Sequence, residues 1–276
     1  MPSGDYRRDG ERCTDPMSGS LLSLAQATQR LQPFRRRYLG VVPIDVDRII
    51  GTADREADFD HRFTALRSDL RERQARLARA FPNGEFAPIV VEKLGDAYFV
   101  IDGHHRVGLA RQRGMVSIDA EVTELTARWH LSAAADADEL LHAEQERLFM
   151  TESGLADVLP DARLRFSHAV GYRQLLEAVQ IHGYMLMVDA RYPLDPRKVA
   201  GDWYANVYRP AVELVSAANP TSLCPNATEA DTFLWLCEER RKLSVGHAGM
   251  QLADALRLSI GTSARRRRLL GRLAGA

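Results

Sequence analysis

Between Tyr98 and Arg111 the chain reads Tyr-Phe-Val-Ile-Asp-Gly-His-His-Arg-Val-Gly-Leu-Ala-Arg, an order that leaves few ways to fold. Tyr98 to Ile101 make a buried strand, Asp102-Gly103 a turn, and the next residues a short amphipathic helix that Gly114 ends. Val107, Leu109 and Ala110 gather near one side of that helix. Strand, glycine turn and helix together present open backbone N–H groups and a positive dipole end to an anion. The dipole contributes only about 0.3–1 kcal/mol. Arg106 could add a charge-assisted bond of about 1.5–3 kcal/mol, and His104 and His105 could donate as well. A plainer reading of the same residues has Asp102 capping the helix, Gly103 easing the turn and the histidines packing.

At 276 residues the chain can form one large or two modest domains with real cores. No apolar stretch approaches membrane-spanning length, and the polar start, Met1 to Cys13, is no secretory signal. Cys13, Cys224 and Cys237 are far apart and form no CxxC pair, so a reducing cytoplasm is the expected compartment. Formal net charge is zero, which gives no general pull towards nucleic acid or membranes. Two basic clusters still stand out, Arg35 to Arg37 and Arg265, Arg266, Arg267 and Arg268. Each is a weak candidate for nucleic-acid contact, because such runs usually form solvated helix faces.

Residues 1 to about 19 read as disordered, and a helix is predicted over Leu21 to Leu31. Leu39 to Val46 reads as a strand. After the glycine turn at Gly51, a charged helix is predicted from about His61 to Phe81. Its buried stripe would be Phe63, Leu66, Leu70, Leu77 and Phe81. Ile89-Val-Val-Glu and Tyr98-Phe-Val-Ile then form a hairpin across Leu94-Gly95-Asp96, and Ser117 to Glu124 alternates as a half-exposed strand. Beyond Ala127 the pattern is helical: Asp136 to Met150, Tyr172 to Met187, Asp202 to Ala217 with Pro210 kinking or splitting it, and Gly246 to Ile260. Thr228-Glu-Ala-Asp231 starts a further helix as a capping box does. Trp203, Tyr204, Tyr208 and Trp235 could stack bases, but at helical spacing they read as core. His168, His182 and His247 read as packed or capping residues.

Asp54, Arg55, Asp58 and Asp60 fall on a loop expected to face the Asp102–Arg106 turn. Carboxylates there could share Mg²⁺ with phosphates, or take a proton from a hydroxyl. Asp58 and Asp60 are the candidate metal ligands, and Arg55 and Asp58 the candidate ligand contacts. Either aspartate could instead cap the charged helix that follows. No zinc site is expected, since adjacent histidines at a helix start diverge and no third strong ligand is placed.

Gly103-His104-His105-Arg106, after a strand and Asp102, resembles the Gly-x-His-Arg nucleotide motif of the ParB/sulfiredoxin superfamily. More closely, the chain looks like an actinobacterial group of ParB-like proteins with an appended helical region. There, Gly51-Thr52 and Asp58-Phe59-Asp60 precede the motif, while Asp202-Trp-Tyr, Tyr208-Arg-Pro210 and Thr228-Glu-Ala-Asp231 follow it. The resemblance spans roughly residues 41 to 250 and implies a bound nucleotide, CTP or ATP, without fixing one chemistry. Taken with the loop residues read above, the expected site has Thr52, Arg55, Asp102, Gly103, His104, His105 and Arg106 around that nucleotide, with Mg²⁺, and His104, His105 and Asp58 as catalytic groups. Sulfiredoxin chemistry needs a cysteine where His104 stands, and partitioning proteins carry Glu-Arg in place of His104-His105. No tight glycine turn joining two short helices, as a DNA reader would need, is evident between 127 and 190.

The expected fold is α/β: residues 1–37 a tail plus one helix, 38–126 a small ParB/sulfiredoxin-like mixed-sheet nucleotide-binding domain, and 127–276 an all-helical region with a basic tail. The expected function is nucleotide binding with hydrolysis or phosphoryl transfer, in a DNA-associated or regulatory role. Alternatives are a free-serine-type small-molecule kinase, a DNase and a non-enzymatic scaffold. Expected partners are the nucleotide, DNA, and a second copy or a protein held by the helical region, with no membrane.

Overall fold

The computed structural model describes residues 20–82, 86–217, 227–244, 254–255 and 257–258, and the chain divides into two compact units at Leu140/Leu141. Of the expectations above, those for residues 1–19, Cys13, Cys224, His247 and Arg265 to Arg268 lie outside the described residues. So does most of the helix expected over Gly246 to Ile260, where only Asp254, Ala255, Arg257 and Leu258 are described, all helical.

The first unit is built on six strands: β1 (Leu22–Ser23), β2 (Arg35–Asp45), β3 (Ile49–Thr52), β4 (Ile89–Leu94), β5 (Ala97–Asp102) and β6 (Ser117–Thr126). Their order in the sheet is β1-β3-β5-β4-β6-β2. The β4–β5 and β6–β2 pairs are antiparallel, while β1–β3, β3–β5 and β4–β6 are parallel. This is the mixed sheet that the resemblance implies. The helices α1 (Leu24–Leu31), α2 (Ser68–Ala80) and α3 (His104–Gln112) complete the unit. Ile49, Ile89, Val91, Val100, Val107 and Ala120 are buried together in its core.

Three local expectations need correction. First, α1 begins at Leu24, because Leu22 and Ser23 pair with Gly51 and Thr52. Second, Arg35 to Arg37 belong to strand β2 and not to a helix face. Cross-strand carboxylates hold two of them: Arg36 meets Glu92, and Arg37 meets Glu124 at 2.8 Å. Third, the charged helix starts at Ser68, seven residues later than the apolar spacing predicts. Asp60 Oδ1 accepts the N–H groups of Arg62 and Thr64 at 2.9 and 2.7 Å, a side-chain turn that competes with helix. Phe63 sits within that turn at φ +60 and is fully buried, whereas Leu66 is exposed. Of the expected stripe on α2, Leu70 is buried and Phe81, just past the helix, is exposed.

The second unit is helical. Helix α4 (Ala137–Glu152) runs across the division, and α5 (Leu155–Val158), α6 (Gly171–Ala190), α7 (Pro196–Trp203), α8 (Arg209–Ala217) and α9 (Glu229–Ser244) follow. A glycine turn at Gly154, φ +77, joins α4 to α5, but α4 is sixteen residues long and α5 a single turn, so the two are not a pair of short helices. Pro210 lacks the N–H that would continue an α-helical ladder, and one π-turn, Tyr204–Tyr208, takes up the mismatch between α7 and α8. Thr228 and Asp231 form the expected reciprocal cap: Asp231 Oδ2 accepts the Thr228 N–H at 2.9 Å and Thr228 Oγ1 accepts the Asp231 N–H at 3.2 Å. Trp203 and Tyr208 are buried against Phe233, as core.

Candidate functional site

Strand β5 delivers Asp102 to the edge of the core, and Gly103 then turns the chain at φ +105 into α3. No side chain caps this helix, so Asp102 does not play the capping part considered for it. The N–H groups of Arg106 and Val107 turn back onto the Gly103 carbonyl at 2.8 and 3.0 Å. That leaves the amides of His104 and His105 as the open, electropositive end. A cavity of about 540 Å³ opens there, lined by Asp102 to Arg106, by Arg55, and by one face of α2.

The two histidines differ sharply in their surroundings. His104 is buried, its ring stacked on Phe59 at 5.3 Å and its Nε2 2.7 Å from Thr52 Oγ1. That oxygen also accepts the Arg55 N–H at 3.2 Å, and lies 3.4 Å from the Val100 carbonyl. The Thr52 hydroxyl carries a single proton, so across the 2.7 Å contact either it or His104 Nε2 is the donor, according to the ring's tautomer. Burial, with the Arg55 charge adding, pushes its pKa down to about 4. His104 is a neutral, positioned ring.

His105 is 8 % exposed, and neither ring nitrogen has a hydrogen-bond partner. Phe59 meets its ring edge-on at 5.1 Å. Burial first, then the Arg73 and Arg55 charges, hold its pKa below the ordinary imidazole value. Buried polar atoms almost always find partners, so two orphaned nitrogens, out of solvent contact on a residue that lines the cavity, ask for an explanation.

The structure brings Thr52, Arg55, Asp102, Gly103, His104, His105 and Arg106 into one neighbourhood, but several are already engaged. Arg106 gives one terminal nitrogen to the carbonyls of Ala87 and Pro88 and the other to Asp102. Arg55 places Nε and a terminal nitrogen on Asp58 Oδ2 at 2.8 and 2.6 Å, and lies over Phe59. Asp58 therefore faces its own arginine, and Asp60 is committed to the turn described above. Neither of them, nor Asp54, lines the cavity. Among the described residues no three His, Cys, Asp or Glu side chains group to hold a metal ion.

Sequence reasoning missed Arg73, Arg76, Leu77 and Ala80 of α2, which line the same cavity. Their spacing is i, i+3, i+4 and i+7, one helix face, and that was the available signal. Its arginines made it look like a solvated surface.

Residues 37–137 match the family described as the ParB N-terminal domain. A search of curated proteins finds no match. Among solved structures, one described as the "Structure of the pNOB8-like ParB N-domain" matches at 12% identity, covering 77% of this chain and 79% of that one. Its TM-score is 0.24, a superposition too loose to transfer any contact. No helix among the described residues is long and apolar enough to cross a membrane.

Proposed function

We propose that this chain, a ParB-like superfamily member through residues 37–137, seats a nucleoside triphosphate, CTP or ATP, at the mouth of α3. The observation that carries the reading is His105, buried at the cavity wall with both ring nitrogens unpartnered. Leaving such a group unsatisfied costs about 1–3 kcal/mol, a cost a phosphate or base edge would relieve. The open amides of His104 and His105 beside it suit phosphate oxygens, and the helix end suits their charge.

Hydrolysis or phosphoryl transfer would follow from positioning and charge stabilisation, with His105 moving a proton or donating to an oxygen between phosphates. Mg²⁺ would bind chiefly through the phosphates, with Asp102, which lines the cavity, as the protein's carboxylate. Members of the ParB N-domain family in general bind nucleotide and DNA, and a nucleotide-dependent regulatory role near DNA is the matching reading here. The exposed Ile181, Tyr184, Met185 and Val188 of α6 support a protein-binding or self-associating role for the helical unit.

Thermal melting of the full chain with ATP, ADP, CTP, GTP and UTP, each with Mg²⁺, tests the reading. A nucleotide at a hundred times its Kd should raise the midpoint by about 5–10 °C. The variant His105→Phe keeps the aromatic packing and removes both orphaned nitrogens. It should melt at or above the wild type without ligand and lose most of the nucleotide shift. No shift with any nucleotide would leave the motif as a scaffold. A full shift in His105→Phe would place the ligand elsewhere.

A further inference from the structure

We infer that Arg73 and Arg76, one turn apart on α2, are the side chains that hold the terminal phosphates, an inference that rests on the nucleotide reading above. Four arginines line the cavity: Arg55, Arg73, Arg76 and Arg106. Arg55 is paired with Asp58 at 2.6 Å. Arg106 is spread over two backbone carbonyls and Asp102, all at 2.6–2.7 Å. Recruiting either to a ligand would mean breaking bonds already made, and would strand a carboxylate or two carbonyls. Arg73 and Arg76 are exposed, and neither has an ion-pair or hydrogen-bond partner among the described residues.

Their placement is specific. With Leu77 and Ala80 they form a single stripe on α2 that faces the open end of α3 across the cavity. Arg73 lies near enough to His105 to bear on its proton affinity. Anion-binding elements thus meet from two sides: backbone amides and an unpartnered, buried imidazole on α3, and two uncommitted guanidinium groups on α2. Two such charges match the roughly two negative charges left on a Mg²⁺-bound triphosphate. A monophosphate seated on the α3 amides would need neither. The site so built selects by phosphate count.

The test is calorimetric titration of the full chain with Mg²⁺ and the tri-, di- and monophosphate of the base that shifts melting most. Arg73→Gln and Arg76→Gln, alone and together, should melt as the wild type does, because both side chains are exposed and unpaired. Each single variant should weaken triphosphate binding about tenfold and the pair about a hundredfold, with monophosphate affinity changed by less than about threefold. A pair that binds triphosphate like wild type would overturn the inference and leave the nucleotide reading standing. An equal loss for tri- and monophosphate would overturn the phosphate-count assignment. If the wild-type chain binds no nucleotide, both readings fall together.

Discussion

Arg106 reaches back four residues to Asp102, its terminal nitrogen 2.6 Å from the carboxylate, while its other terminal nitrogen binds the carbonyls of Ala87 and Pro88. One side chain thereby ties the first turn of α3 to strand β5 and to the segment that enters β4. An arginine in a phosphate motif is expected to face the ligand. This one first holds the motif's own backbone in place.

The carbonyl bonds should dominate its energetics, because Asp102 is largely exposed and its ion pair is screened. Arg106→Ala is expected to lower the stability of the first unit by about 2–3 kcal/mol. Arg106→Lys should recover only part of this, since a single ammonium cannot reproduce the planar fork. Asp102→Asn should cost under about 1 kcal/mol. Urea denaturation of the three variants checks the order. An Arg106→Ala midpoint equal to wild type would mean that these bonds hold nothing.

How much of this was legible beforehand depended on how far apart in sequence the determining groups lie. The β4–β5 hairpin and α3 could be read because Gly95, Gly103 and the apolar runs beside them are local signals. The match between Gly103-His104-His105-Arg106 and a known motif likewise located the cavity. What could not be read is what other segments do to those residues. The carbonyls that occupy Arg106 come from Ala87 and Pro88, and the pairing of Leu22 with Gly51 closes over helix α1 and strand β2. At Asp60, a side chain outcompetes an apolar period that otherwise reads as helix. Arg73 and Arg76 gain meaning only once α2 is seen to face the end of α3.

Gly103 is the next test of that geometry. At φ +105 a side chain is strained, and a Cβ there would lie 2.5 Å from Ile89 Cγ2 and 3.0 Å from Arg106 Nε. Ile89 is fully buried and cannot withdraw without opening the core. Gly103→Ala should therefore cost about 2–4 kcal/mol, the left-handed strain and the overpacking acting together. Guanidinium denaturation gives the value. A change under about 0.5 kcal/mol would show that the turn can relax around a methyl group.

His104 predicts how the fold answers acid. Its pKa lies near 4 in the folded chain, against an ordinary 6.5, so the unfolded chain holds the proton over that interval and the folded chain does not. Stability should thus be full above about pH 6.5 and fall as the pH drops towards 4. Between pH 7 and pH 5 the loss attributable to this ring should be about 2 kcal/mol. His105, shifted in the same direction by burial and by Arg73 and Arg55, adds to it. Carboxylates elsewhere also titrate in acid, so the decisive measurement is a difference between proteins. His104→Gln can donate an N–H towards Thr52 Oγ1 but cannot take up a proton. Urea midpoints followed from pH 7 to pH 4.5 should decline less steeply for His104→Gln than for wild type. Parallel declines would mean that the buried ring titrates at its ordinary pKa, and that its hydrogen bond to Thr52 is not held in a dry site.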